Sequence, residues 1–186
     1  MWRNTMFTTP VISSLLRLLS IMVLKLCGWK VEGVFPKEVR QCVLIAAPHT
    51  TNWDMPFSLM IAFALKMPLH WVGKATIFKF PFGSLMRWMG GIPVDRAKTK
   101  NMVEATVEKF TLYSDLKIMM APEGTRSRVS HWKSGFYHIA HGANVPIVLG
   151  FIDYKHKCGG ILGVFHTTGD YDSDLKRIQA YYQPYM

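Results

Sequence analysis

The chain is short of acid and of cysteine and has no unbroken apolar run long enough to span a bilayer, and each shortage removes a class of protein. Asp and Glu number 12 against 22 Lys and Arg in 186 residues, leaving a net charge of +10 on a sequence only 18% charged. With 49% hydrophobic residues beside that sparse charge, a disordered polyelectrolyte is excluded. The three cysteines, Cys27, Cys42 and Cys158, are odd in number and far apart. They fit neither a disulfide framework nor a CxxC metal site, so a reducing compartment is expected, with each thiol serving as a small core group. Residues 11–28 are apolar enough to suggest a spanning helix, but Arg17 and Lys25 interrupt them. No internal repeat or low-complexity tract is visible. The basic residues are scattered and no finger, basic-zipper or RNP-like motif occurs, which argues against nucleic acid as a partner.

What is present is basic, apolar and aromatic. The length suits one domain. Met 12, Trp 6 and Phe 11, together with the positive charge, suit a surface that meets anionic headgroups and acyl chains. At about 100° per residue, Ser13, Ser14, Arg17, Ser20 and Lys25 fall within an arc of ~140°, opposite Val11, Leu15, Leu18, Leu19, Met22 and Leu26. Ile21 and Leu24 intrude on this pattern. A helix lying in the headgroup plane is expected over residues 1–28, ahead of a globular domain over 29–186. The alternative is an amphipathic helix packed on the domain's own core. No small-residue cleavage pattern follows Gly28, so a signal peptide is not expected.

From Cys42 onward short apolar runs alternate with helical segments. The runs are 43–47, 69–73, 92–94, 117–121 and 145–152, with a late strand at 161–165; helices are expected near 54–66, 81–89, 99–114 and 134–142. This alternation predicts an α/β fold, a mixed and largely parallel sheet flanked by helices. In such sheets the loops leaving the strands' carboxyl ends build the site, which directs attention to 48–54, 94–96 and 122–127.

The first of these loops reads Pro48-His49-Thr50-Thr51-Asn52-Trp53-Asp54. A His that removes a proton needs a partner to hold its tautomer and stabilise its imidazolium, and a nearby carboxylate serves. Five helical residues turn through about 500°, so His49 is expected before a helix and Asp54 in its first turn. A capped helix start would look the same. The third loop, Pro122-Glu123-Gly124-Thr125-Arg126-Ser127-Arg128, combines a Gly, hydroxyls and guanidiniums that together can hold a phosphate, although a solvated polar turn has similar composition. Gly90-Gly91-Ile92-Pro93-Val94-Asp95-Arg96 ends a strand with an Arg that can reach the same anion or pair with Glu104.

With these blocks in view, the sequence resembles the lysophosphatidate and glycerol-3-phosphate acyltransferase family. HTTNWD is similar to that family's HxxxxD block, GGIPVDR to its second, APEGTRS to its EGTRS block and NVPIVLG to its fourth, in the family's order over 48–150. The resemblance implies an enzyme in which His49 is general base on the acceptor hydroxyl and Asp54 orients it. It places acceptor-phosphate binding on Glu123, Gly124, Thr125 and Arg126, with Arg96 assisting. Since a carboxylate repels phosphate, Glu123 is expected to orient Arg96, Arg126 or the turn; Lys74 is a further anion-binding candidate. The reaction implied is transfer of a fatty acyl group from acyl-CoA or acyl carrier protein to a lysophospholipid hydroxyl, first of all 1-acylglycerol-3-phosphate, at the cytoplasmic face of a membrane. Another lyso-lipid or a glycolipid is the alternative acceptor, and a basic membrane-lipid-binding protein the alternative outside enzymes.

Neither a metal nor a resident cofactor is implied. His138 and His141 have i, i+3 spacing but no evident third ligand, and a helix surface is the better reading. Trp132-Lys133-Ser134-Gly135 is not a GxSxG elbow, so transfer without an acyl-Ser intermediate is expected. The Met- and aromatic-rich stretch 55–89 suits core packing more than an acyl tunnel. Met120-Ala121 and Leu149-Gly150 depart from the family's aromatic and second proline, and the C-terminal HTTGDYDSDLKRIQAYY is unlike its commonest members.

Overall fold

The structure, a computed structural model, describes residues 4–48, 51–94, 102–124 and 131–185. Its centre is a strand that is apolar on both faces. β2 (Gln41–Ala47) buries Cys42, Val43, Leu44, Ile45 and Ala47, the pattern of a strand covered by helices on both sides. It lies between β5 (Leu116–Met120) and β6 (Ile147–Asp153), parallel to both. β3 (His70–Lys74) extends the sheet beyond β5, and β4 (Gly91–Val94) closes that edge, again in parallel. On the other side β7 (Cys158–Phe165) runs antiparallel to β6, and the short β1 (Lys30–Glu32) pairs with β7. The seven-stranded order is β1-β7-β6-β2-β5-β3-β4, the mixed, largely parallel sheet expected from the alternation.

The helices α2 (Asp54–Ala64), α3 (Gly83–Trp88), α4 (Met102–Leu112) and α5 (Gly135–Ala143) fall close to the segments predicted for them. Gly90 takes φ 86 before β4, where a Cβ would stand 2.5 Å from the Leu69 carbonyl oxygen. Only glycine joins α3 to β4 with the backbone that close. In the stretch 55–89, Ile61, Ala62, Phe63, Met67, Leu69 and Phe78 are core residues, whereas Ile77, Phe80, Phe82 and Leu85 face outward. His141 hydrogen-bonds the Thr167 hydroxyl at 3.0 Å, and His138 stacks on Tyr171.

α1 (Ile12–Leu26) packs against α2 through its more polar side. Ser20 and Leu24 are its buried residues, and with Ser13 and Arg17 they form an i, i+4, i+7, i+11 stripe turned toward the domain. The apolar side faces out: Leu15, Leu18, Leu19, Met22 and Leu26 are exposed, Leu18 by 68% and Leu26 by 80%. Leu24, which broke the sequence pattern, is the apolar residue that meets the domain, joining Trp29, Ile61 and Ile152. Among the described residues no helix is long and apolar enough to cross a membrane.

A helix that the sequence reading did not anticipate, α6 (Tyr171–Tyr182), closes the C-terminal side. Asp170 caps it, its Oδ1 accepting the Ser173 amide at 3.2 Å. Asp174, at 0% exposure, accepts hydrogen bonds from the Tyr137 hydroxyl (2.9 Å), the Thr168 amide (2.6 Å) and the Thr168 hydroxyl (3.0 Å). Burial by itself would raise its pKa, but these donors and Arg177 hold it below the ordinary carboxylate value. A folded-state pKa below the unfolded one gives stability that is present above about pH 4 and lost as pH falls through the folded value. Asp174→Asn is therefore expected to cost about 2–3 kcal/mol near neutral pH, with the gap from wild type narrowing below about pH 4. Urea titrations across that range check it.

Candidate active site

All five strands of the parallel set end at the same edge, and the chain segments leaving them carry the predicted polar residues. After β2 the chain passes Pro48 and enters α2 at Asp54. This matches the expectation that His49 precedes the helix and Asp54 opens it; His49 itself lies outside the described residues. Asp54 is only 4% exposed, although it is charged and stands at a helix start. Its carboxylate is held by local and distant donors. The Thr51 amide donates to Oδ2 at 2.9 Å, and the Thr51 hydroxyl donates to Oδ1 at 3.1 Å. The Tyr154 hydroxyl donates to Oδ1 at 2.8 Å from one hundred residues away. Thr51 Oγ1 in turn accepts the Trp53 amide at 3.0 Å, which locks the turn. The helix N-terminus adds a favourable field for a carboxylate in its first turn.

Tyr154 is the site residue that the sequence reading missed. It stands just past β6, in a strand-exit segment of the parallel set that holds no family-like polar block. The rule that sites form at carboxyl ends of parallel strands pointed to it as much as to the others. Asp153 fixes its turn, with Oδ1 accepting the Lys155 amide at 2.9 Å and the His156 amide at 3.1 Å. The Tyr154 ring packs edge-on against Trp29 and Phe57, so its position is set by the core beneath. Burial, opposed by the Thr51 hydrogen bond and reinforced by Asp54, pushes the Tyr154 hydroxyl up to about 12, which keeps it a donor at working pH.

After β5, Ala121 to Gly124 make a tight turn, with the Gly124 amide bonding the Ala121 carbonyl at 3.1 Å. Gly124 takes φ 64, and a Cβ there would meet the Lys133 side chain at 2.6 Å. The Lys133 amide also donates to the Pro122 carbonyl at 2.8 Å, so Lys133 lies over the Glu123-Gly124 turn. Sequence reasoning passed over this amine because its neighbours were tested only as a nucleophile elbow. Glu123 is buried rather than displayed. Burial, and then the Glu123 charge, hold the Tyr182 hydroxyl well above its ordinary value, and Tyr182 donates to the Gly150 carbonyl at 2.9 Å. A carboxylate so placed is withdrawn from solvent. Lys74 is the last residue of β3, at the same sheet edge. Thr125, Arg126 and Arg96 lie outside the described residues.

A parallel sheet that gathers a buried, donor-gripped Asp and the polar strand-exit loops at its carboxyl edge has the layout of an α/β enzyme site. The sequence model of the Acyltransferase family matches residues 29–149, and the chain belongs to that family. In fold it is similar to the 1-acyl-sn-glycerophosphate (LPA) acyltransferase PlsC from Thermotoga maritima. That crystal structure superposes with a TM-score of 0.64 at 16% identity, over 91% of this chain and 76% of that one. No curated protein matches this chain in sequence.

Tyr154→Phe keeps the ring contacts with Trp29 and Phe57 and removes one donor from a buried carboxylate. It is expected to cost about 1.5 kcal/mol in denaturant unfolding, the low end for hydrogen bonds to charged groups because the Tyr is part-exposed. Tyr154→Ala, which loses the ring as well, is expected to cost more.

Proposed function

We propose that this acyltransferase moves a fatty acyl group from acyl-CoA or acyl carrier protein to the free hydroxyl of a lysophospholipid, with 1-acylglycerol-3-phosphate the first acceptor and phosphatidate the product. The observation that carries the reading is the Asp54 carboxylate, buried at the start of α2 and oriented by Thr51 and Tyr154. A carboxylate in that grip is preorganised to hold one imidazole tautomer and to stabilise the imidazolium that forms. His49, five residues earlier, takes the proton of the acceptor hydroxyl. The hydroxyl oxygen attacks the thioester carbonyl carbon, the tetrahedral oxyanion collapses, the C–S bond breaks, and the leaving thiolate takes the proton back from His49.

Acceptor phosphate is assigned to Gly124, Thr125 and Arg126 with Arg96 assisting, Glu123 bracing the turn and Lys74 as a further cation. The left-handed Gly124 turn, and Lys133 lying across it, support an anion site at the exit of β5. Purified protein is expected to consume thioester in the presence of lysophosphatidate in detergent. His49→Ala lowers the rate by about 10²–10⁴-fold, and Arg126→Ala chiefly raises the acceptor KM. Turnover only with phosphate-free acceptors would remove the phosphate assignment while leaving the acyl transfer.

Membrane attachment at the cytoplasmic face is part of the same reading. It is supported by the outward apolar face of α1 and by Ile77, Phe80, Phe82 and Leu85 around α3. The two groups adjoin: the Trp88 indole of α3 donates to the Thr9 hydroxyl just ahead of α1 at 3.1 Å, and the Met6 amide to the Trp88 carbonyl at 2.7 Å. Apolar area of this extent facing water calls for a partner surface, and a bilayer also holds the acceptor. Leu15→Ser, Leu18→Ser and Leu19→Ser together are expected to abolish sedimentation with phosphatidylcholine vesicles while costing only about 1 kcal/mol of unfolding free energy, because these side chains are about half exposed or more.

A further inference from the structure

A cleft of about 310 Å3 opens between α1 and the carboxyl end of α2, away from the sheet edge that carries Asp54. Ser13, Ser14 and Arg17 of α1 form one wall, and Phe63 with Lys66 forms the other. Phe7, stacked on Phe63 at 4.4 Å, supplies an apolar floor. The volume is at the low end of the ~300–1,000 Å3 typical of small-ligand sites. Two cations and two hydroxyls line it, and no acidic residue is among its described walls. The Arg17 Nε is shut off from solvent without a hydrogen-bond partner among the described residues. A guanidinium in that state is incomplete without an acceptor, since buried donors are almost always satisfied.

We propose that this cleft binds the phosphate of an anionic lipid headgroup. The inference rests on the reading that α1 lies on a bilayer. Ser14 lines the cleft, and Leu18, one turn further on the same helix, is among the most exposed apolar side chains of α1. A helix sunk to its outer face in acyl chains therefore holds the mouth of the cleft at the depth of the headgroup phosphates. Arg17 forms a fork of N–H donors suited to two phosphate oxygens, Lys66 adds a point charge, and the serines complete the anion's acceptors. This explains why the domain-facing stripe of α1 carries Ser13 and Arg17, where a helix docked for packing alone would carry apolar residues. The site is distinct from the acceptor site, because it recognises a lipid of the surface rather than the molecule that is acylated.

The test is sedimentation of the full chain with vesicles of phosphatidylcholine alone and of phosphatidylcholine with phosphatidylglycerol, at constant ionic strength. Lys66 has φ 54, a conformation Asn tolerates, so Arg17→Gln/Lys66→Asn is the variant of choice. It is expected to lose the phosphatidylglycerol-dependent gain in affinity by roughly fivefold per cation, with binding to phosphatidylcholine unchanged. Arg17→Lys is expected to retain most of the gain, and so is the charge-matched Lys37→Gln/Lys176→Gln. Full retention of the gain in the double variant, or an equal loss in the charge-matched one, overturns the cleft. Wild type that binds neither vesicle overturns the membrane reading and the cleft with it. Inorganic phosphate that raises the Tm of wild type but not of the double variant, with no phosphatidylglycerol effect, assigns the cleft to free phosphate and overturns the lipid.

Discussion

A carboxylate removed from water must be given donors to replace it, and Asp54 obtains them because two stretches of chain distant in sequence, the passage from β2 into α2 and the turn after β6, meet at one point. Thr51 comes from the exit of β2, the Asp54 backbone from the first turn of α2, and Tyr154 from the turn between β6 and β7. The parallel pairing of β2 with β6 is what brings the first and the last of these to the same edge. The aromatic contacts of Tyr154 with Trp29 and Phe57 then extend the constraint into the core beneath α1 and α2. A shift of either strand by one residue would leave the charge buried and short of a donor, a cost of several kcal/mol in general.

The same edge explains the distribution of glycine and buried acid after β5. Gly124 bends where a side chain would meet Lys133, while Glu123 turns inward toward Tyr182. An acidic residue in a block proposed to bind phosphate is puzzling as a ligand and reasonable as a brace.

α1 shows a different constraint. A soluble amphipathic helix hides its apolar face, yet this one turns Ser13, Arg17, Ser20 and Leu24 toward the domain and leaves its leucines outside. Such an arrangement leaves an apolar face that the domain itself does not cover, the feature on which the proposed membrane attachment rests. The scattered positive charge and scarce acid of the whole chain fit the same surroundings.

Much of this was legible from residue order. The alternation of apolar runs located six of the seven strands and the helices between them, because burial on both faces demands near-continuous apolar runs; the position of Asp54 at the start of a helix followed from the angular spacing of helical residues. β1 and α6 escaped because one is three residues long and the other is polar over most of its surface, the buried Asp174 interrupting the inner side on which Ile178 and Tyr182 join the core. Tyr154 escaped because no local pattern ties it to Asp54: its role depends on a hydrogen bond across one hundred residues. The amphipathic pattern of α1 was likewise readable, but an angular pattern is the same whether its apolar half faces a core or a bilayer. Sequence by itself determined most of the segments that form strands and helices and which strand-exit loops gather polar residues, since those depend on neighbours along the chain. Only the tertiary structure decided which donors hold Asp54 and which way α1 faces, since those depend on groups brought together through space.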